Sequence, residues 1–290
     1  LEKPREPIGN HRDLFEDDDS VELDLRSSER SFLDKGEGVA GSQEPFRPLA
    51  DRMRADSLKD FLGQDHILGP GQVLRRIVEI DEPTSIILWG PPGTGKTTLA
   101  HIIAKRTDAY FVPFNALLGG VKELRDIVKV ARKAQRAQRR RTVLFVDEIH
   151  RFNKSQQDAF LPHVECGLIT LIGATTENPS FEVNSSLLSR CQVFVLEALT
   201  VAQIRNLLCR ALAAQKGLAS LRVKIEEDAL AHLSKMSNGD ARVSLNALQM
   251  ATLAARPDSE GQRHISLSDA EDALQRRVPL YDRAGEEHFN

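Results

Sequence analysis

Apolar positions along this chain fall into two regimes that meet near Ala198. Before it, short apolar runs alternate with stretches whose apolar residues recur every three or four positions. The runs are Ser85-Ile86-Ile87-Leu88-Trp89, Tyr110-Phe111-Val112, Val143-Leu144-Phe145-Val146-Asp147, Thr170-Leu171-Ile172-Gly173-Ala174-Thr175 and Gln192-Val193-Phe194-Val195-Leu196. Branched and aromatic side chains in unbroken runs predict strands buried on both faces. The helical stretches between them span Thr97 to Arg106, then roughly 121–138 and roughly 155–165. Strands alternating with helices predict a parallel sheet with right-handed crossovers.

After Ala198 the helical period takes over. Thr200-x-x-Gln203 is a capping box that opens a helix with Ile204, Leu207, Leu208 and Leu212 on one face. Further helices are predicted over roughly 228–236 and 241–255, and Ser268-x-x-Glu271 is read as the cap of a fourth. A short strand at Arg222-Val223-Lys224 is the one break in that pattern. The expected fold class is α/β: a three-layer parallel-sheet domain over 45–198, then a small all-α domain over 199–278.

Residues 1–44 keep neither period. They hold 13 acidic and 6 basic side chains, so a disordered acidic tail is expected. Glu16-Asp17-Asp18-Asp19 reads as a solvating charge run. The net charge of −3 hides this tail, because the remainder carries 33 basic against 29 acidic residues. That balance leans only weakly towards a polyanionic partner. No apolar run approaches the length of a membrane span, and no signal-peptide pattern opens the sequence. Three scattered cysteines suit a reducing compartment and form no zinc signature; the eight histidines show no metal spacing.

The densest chemistry lies at Gly90-Pro91-Pro92-Gly93-Thr94-Gly95-Lys96-Thr97-Thr98. This is a complete G-x-x-x-x-G-K-[ST] loop between a predicted strand and a predicted helix. In that setting backbone N–H groups and a helix N-terminus face a phosphate chain. Lys96 is placed to reach β- and γ-phosphates, and the Thr97 hydroxyl to bind Mg²⁺. Downstream, the strand Val143–Val146 delivers Asp147 and Glu148 at its C-terminal end, where open α/β sheets bind ligands. Asp147 is placed to hold Mg²⁺, and Glu148 to polarise the attacking water.

Three further positions carry alternatives. Thr176, or else Asn178, follows the fourth strand where a side chain can meet a γ-phosphate or its water. Arg190 precedes the fifth strand, either as a surface residue or as a finger into a neighbour's site. Asp240 is a good N-cap, which puts Arg242 in a first turn, where the helix dipole opposes a cation unless phosphate is present. Two basic stretches are open between a solvated surface and a DNA contact. One is His150, Arg151, Asn153 and Lys154; the other is Arg132, Lys133, Arg136, Arg139, Arg140 and Arg141.

From Pro48 to about Asn290 the chain resembles AAA+ ATPases of the replication-associated recombination protein A (MgsA) family, relatives of the Werner-helicase-interacting protein. The strings that carry the resemblance are Pro48-Leu49-Ala50-Asp51-Arg52-Met53-Arg54, Gly63-Gln64-Asp65-His66-Ile67-Leu68-Gly69, the phosphate loop, Phe145 through Pro162, and Ile172 through Arg190. His150–Gln157 and Glu177-Asn178-Pro179-Ser180-Phe181 distinguish it from clamp-loader subunits and from the Holliday-junction motor RuvB. The resemblance implies Walker A roles for Lys96 and Thr97 and Walker B roles for Asp147 and Glu148. It implies sensor 1 for Thr176, a trans arginine finger for Arg190 and sensor 2 for Arg242. The segment around Met53 and Gly63–Ile67 would line the adenine pocket. Ala55 departs from the family, which usually has proline there, and changes loop stiffness more than chemistry.

The resemblance also implies ATP and Mg²⁺ as cofactors and DNA-dependent ATP hydrolysis at stalled forks or single-strand gaps. DNA junctions, a homo-oligomer, the sliding clamp and single-strand binding protein are the implied partners, in the cytoplasm with the nucleoid. Competing readings are a clamp-loader-type ATPase subunit and an ATP-gated DNA-binding adaptor without motor activity. Family members continue into a helical oligomerisation domain, whose start is expected at 279–290, so the sequence is expected to be a fragment and tetramer assembly is left open. Asp13-Leu14-Phe15 in the tail matches the end of clamp-binding peptides of the type Gln-Leu-Asp-Leu-Phe without the glutamine. A free tail is the alternative.

Overall fold

The computed structural model describes residues 47–80, 84–107, 109–115, 121–138 and 140–275. The acidic tail with Asp13-Leu14-Phe15, Arg139 and the region 279–290 lie outside the described residues.

The chain enters through three short helices, α1 (Leu49–Arg52), α2 (Asp65–Leu68) and α3 (Val73–Glu79). The α/β core follows: β1 (Ile86–Trp89), α4 (Lys96–Arg106), β2 (Tyr110–Asn115), α5 (Val121–Gln138) and β3 (Thr142–Asp147). A 3₁₀ turn (Ile149–Arg151), α6 (Lys154–Asp158) and α7 (Leu161–Glu165) lead to β4 (Ile169–Thr175). Then come α8 (Pro179–Glu182), α9 (Ser185–Leu188) and β5 (Gln192–Val195).

All five strands run parallel in the order β2-β3-β4-β1-β5. β4 therefore inserts between β1 and β3, which places the ends of the phosphate-loop strand and of the two-carboxylate strand on either side of Thr175. Strands β1, β3 and β4 are almost wholly buried. One apolar cluster covers each face, with Leu99, Ile103 and Phe145 in one and Ile127, Leu144 and Phe160 in the other. Pro113 interrupts β2 without penalty because β2 is an edge strand.

The single helix predicted over 155–165 is two helices. Pro162 stands at the start of α7; it has no N–H to continue the ladder from α6.

The second regime holds α10 (Val201–Ala213), a 3₁₀ turn (Ala219–Leu221), β6 (Val223–Ile225), α11 (Glu227–Met236), α12 (Ala241–Ala254), β7 (Arg263–Ile265) and α13 (Leu267–Gln275). The Thr200–Gln203 capping box is formed in both directions, and such caps contribute about 1 kcal/mol. The predicted cap of α13 is shifted by two residues. Ser266 and Asp269 bond reciprocally there, so the Ser268–Glu271 pair does not form the box. Nor is this part all-α: β6 and β7 pair in parallel. β6 is the short strand expected at Arg222-Val223-Lys224, displaced by one residue, whereas its three-residue partner β7 carries too little periodicity to be read from sequence.

One boundary also moves. Leu49 is fully buried in the helical cluster of Ile204, Leu208, Leu233 and Leu248, and its N–H donates to Gln249 Oε1 at 2.7 Å. Arg52 donates to the carbonyls of Lys216 and Gly217. Burying one leucine contributes about 1.5–3 kcal/mol. The segment at the start of the predicted 45–198 domain thus packs with the helical part.

Candidate active site

A cleft opens at the C-terminal ends of β1, β3 and β4. Its walls include Gly93 to Thr98, Asp147, Glu148 and Arg242. Phosphate loop, Walker-type carboxylates and sensor-2-type arginine therefore share one space, although 145 positions separate Lys96 from Arg242 along the chain.

The loop is held from within. Lys96 is 7% exposed. Its ammonium donates to the carbonyls of Gly90 at 2.7 Å and Pro91 at 2.9 Å. The Thr94 hydroxyl donates to Pro91 as well. Gly90 and Pro91 thus brace the loop, while Pro92, Gly93, Thr94, Gly95, Thr97 and Thr98 line the cleft. Gly95 has φ +97°, and a Cβ there would stand 2.7 Å from the Phe61 ring. Only glycine combines that backbone with that contact.

Burial lowers the Lys96 pKa from the ordinary lysine value, with Glu148 and Asp147 opposing. Desolvation and then the Glu148 charge raise the Asp147 carboxyl, with Lys96 and Arg242 opposing. These mutual effects bind the four charges into one electrostatic unit. A polyanion carrying a divalent cation would complement it, with phosphates against Lys96 and Arg242 and the cation against Asp147. The oxygen donors Thr97 and Asp147 are a hard pair that suits Mg²⁺, which keeps waters and takes phosphate oxygens for its other positions. The residues present fit that ion and a nucleoside triphosphate. Among the described residues no group of three or more histidine, cysteine or acidic side chains forms a separate metal site.

Glu148 stands in the left-handed region at φ 51°, a conformation that costs a non-glycine residue about 1–2 kcal/mol. Its Oε2 accepts from the Thr176 N–H and from the Thr176 hydroxyl, each at 3.3 Å. Asn178 instead accepts from the Ser180 N–H as the cap of α8. Of the two sensor 1 alternatives, Thr176 is the one that meets Glu148.

Arg190 is elsewhere. It lies just before β5, whose Gln192 pairs with Ile86 at the start of β1. The cleft is at the far end of those strands. The Arg190 guanidinium is tied to Glu165 at 2.6 Å, to the Ser186 carbonyl at 2.7 Å and to Ser189 Oγ at 2.9 Å. Arg242 lines the cleft as expected, two residues past the cap Asp240, which accepts from the Val243 N–H.

Ile67 is a correction. It packs against the cluster of Leu68, Leu74 and Val78 on the sheet and is not among the cleft-lining residues. α2 is a single turn, and that turn faces Ile67 towards the sheet. Met53, Ala55, Phe61, Leu62, Leu207 and Leu245 supply the apolar wall instead. The helical-part leucines among them carry no motif; their only sequence signal is a place on an amphipathic face.

The two basic stretches also change. His150 turns inward to Thr175 Oγ1 at 3.0 Å, so it leaves the surface set, and Asn153 is engaged in a capping box with Gln156. Arg151 and Lys154 remain exposed. In the second stretch Arg132, Lys133, Arg136 and Arg141 are exposed, whereas the Arg140 guanidinium sits over the Tyr110 ring at 6.0 Å.

Residues 86–198 match the family model described as ATPase family associated with various cellular activities (AAA), and 219–290 match the AAA C-terminal domain. The chain is 45% identical over 250 residues to replication-associated recombination protein A of Haemophilus influenzae, covering 86% of this chain and 56% of that protein. It is 38% identical over 262 residues to ATPase WRNIP1 of Dictyostelium discoideum, covering 85% and 30%. Among solved structures, the Holliday junction branch migration motor RuvB of Thermotoga maritima matches with a TM-score of 0.59 and 27% identity, over 77% of this chain and 72% of that one. The chain thus spans about half the length of the Haemophilus protein.

Proposed function

The chain belongs to the replication-associated recombination protein A family of AAA+ ATPases, and from that premise we propose that it hydrolyses ATP with Mg²⁺ to drive work on DNA at stalled forks or single-strand gaps. The observation that carries the reading is the convergence of Lys96, Thr97, Asp147, Glu148 and Arg242 on one cleft. Lys96 and Arg242 bind the phosphates, Thr97 and Asp147 hold Mg²⁺, and Glu148 activates water. Phosphoryl transfer needs little beyond such positioning and charge neutralisation.

Arg190 acts in this reading on the site of a neighbouring copy, which requires an oligomer. Exposed Arg151 and Lys154 supply the DNA-phosphate contact. DNA junctions, the sliding clamp and single-strand binding protein are the proposed partners, and the nucleoid-bearing cytoplasm the proposed place. No helix among the described residues is long and apolar enough to cross a membrane.

The test is ATP turnover measured with and without forked, gapped and single-stranded DNA. Turnover that rises with DNA supports the reading. Turnover indifferent to every DNA form removes the DNA-dependent part. Tight ATP binding with no turnover in any assembly would favour the ATP-gated adaptor.

A further inference from the structure

The contacts to Glu148 converge on one oxygen. Oε2 accepts from the Thr176 N–H and hydroxyl, and His150 Nδ1 stands 3.3 Å from the same atom. The His150 ring is itself fixed. Its side chain is 17% exposed, and Nδ1 is 3.0 Å from Oγ1 of the fully buried Thr175. That hydroxyl accepts from the Glu177 N–H at 3.0 Å and donates to the Glu177 carbonyl at 3.2 Å. With the Thr175 proton directed at a carbonyl, its oxygen faces Nδ1 as an acceptor. A bare Nδ1 would then oppose lone pairs on both Thr175 and Glu148. A proton on Nδ1 satisfies both.

We infer that His150 is a positioning residue for Glu148, its Nδ1–H holding Oε2 together with Thr176 so that Oε1 is left to face the attacking water. The inference rests on the reading of Glu148 as the water-activating carboxylate. Donors on Oε2 fix the side-chain torsions before substrate arrives, so that less ordering remains for the reactive step.

The experiment compares His150→Leu, His150→Asn and His150→Gln in the whole chain, with Glu148→Gln alongside. Asparagine keeps a donor at the δ position, glutamine moves it one bond outward, and leucine removes it. The expected result is a loss of kcat of about tenfold in the leucine and glutamine variants, the scale seen for partners that orient a reacting group. Asparagine restores most of that loss, and KM for ATP and the melting temperature stay unchanged in all three. Wild-type kcat in His150→Leu would overturn the inference. So would parallel loss of kcat, ATP binding and thermal stability in all three, which marks a merely structural residue. If Glu148→Gln retains turnover, the role given to Glu148 fails instead, whatever the histidine variants do. A readout independent of turnover is the ¹⁵N spectrum of labelled histidine: His150 is expected to carry its proton on Nδ1, and an Nε2–H tautomer there overturns the inference.

Discussion

Gly93 of the phosphate loop lies against Asp240, the cap of α12. A Cβ built on Gly93 would stand 1.9 Å from Asp240 Oδ1, and the Ala241 N–H donates to the Gly93 carbonyl at 3.2 Å. The helical part is therefore bonded directly to the glycine loop, and Arg242 follows two residues after Asp240. Gly93→Ala introduces both a clash with Asp240 and a side chain at φ +72°, which costs about 1–2 kcal/mol. ATP affinity is expected to fall at least roughly tenfold, the equivalent of about 1.4 kcal/mol, and the melting temperature to drop by about 2–8 °C, because the strain is carried by the folded state. Titration calorimetry with a slowly hydrolysed ATP analogue reads this directly, and unchanged affinity would show that the contact is dispensable.

Lys96→Ala and Glu148→Gln are expected to separate binding from turnover. The first removes the cation buried within the loop, so ATP binding is lost. The second keeps Asp147 for Mg²⁺ and removes the group beside the water, so ATP stays bound and turnover stops. Equal loss of ATP binding in both variants contradicts the division of roles.

The raised Asp147 carboxyl gives a pH dependence of known sign. Its folded pKa lies above the unfolded value, so the folded protein without ion takes up a proton at higher pH than the unfolded chain does. This contribution favours folding at low pH and is lost as pH rises through the raised pKa. Mg²⁺ binds only the carboxylate, so its apparent affinity is expected to weaken as pH falls through that same window. Mg²⁺ titrations of the nucleotide complex across pH test this. Asp147→Asn should remove the pH-dependent component; a slope that persists in this variant assigns it to another group.

How much of this was legible in the sequence depends on the range of the interaction. The phosphate loop and the carboxylate strand were readable because each is local, a fixed spacing beside an unbroken apolar run. The Thr200 and Asp240 caps were readable for the same reason. What failed was non-local or very short. α1 reads as part of the first domain, yet Leu49 packs some 150 to 200 positions away in sequence. Ile67 sits in a motif string, but the facing of a single turn depends on the sheet beneath it. β7 is too short for alternation to register. His150 looked like one more basic residue in a surface run. Only the insertion of β4 beside β3 brings Thr175 to His150 and Thr176 to Glu148.

Thiol reactivity reports on the β5 entrance. Cys166 and Cys209 are exposed, whereas burial pushes the Cys191 thiol up to about 12. Thiolates are the reactive form. At neutral pH a disulfide reagent should modify Cys166 and Cys209 rapidly and Cys191 only after unfolding. Rapid labelling of all three in the native protein would mean that the segment beside Arg190 opens.

Arg190→Ala is expected to leave ATP binding intact and to lower turnover, by up to roughly 10³-fold where a finger completes the site. The reason is placement. Arg190 precedes β5 at the edge where the strands begin, and its own cleft lies beyond their other end, roughly 10 Å or more away at 3.3 Å per residue. It cannot serve the nucleotide of its own subunit. The guanidinium is tied to Glu165, Ser186 and Ser189 and is 40% exposed, so in the proposed reading an adjoining copy would meet it from outside. Mixing Arg190→Ala with Lys96→Ala subunits puts an intact loop in one copy beside an intact arginine in the next. Those mixed interfaces should regain turnover that neither variant has alone. With co-assembly established by sedimentation, a mixture that remains inactive would exclude action in trans and return Arg190 to a surface ion pair with Glu165.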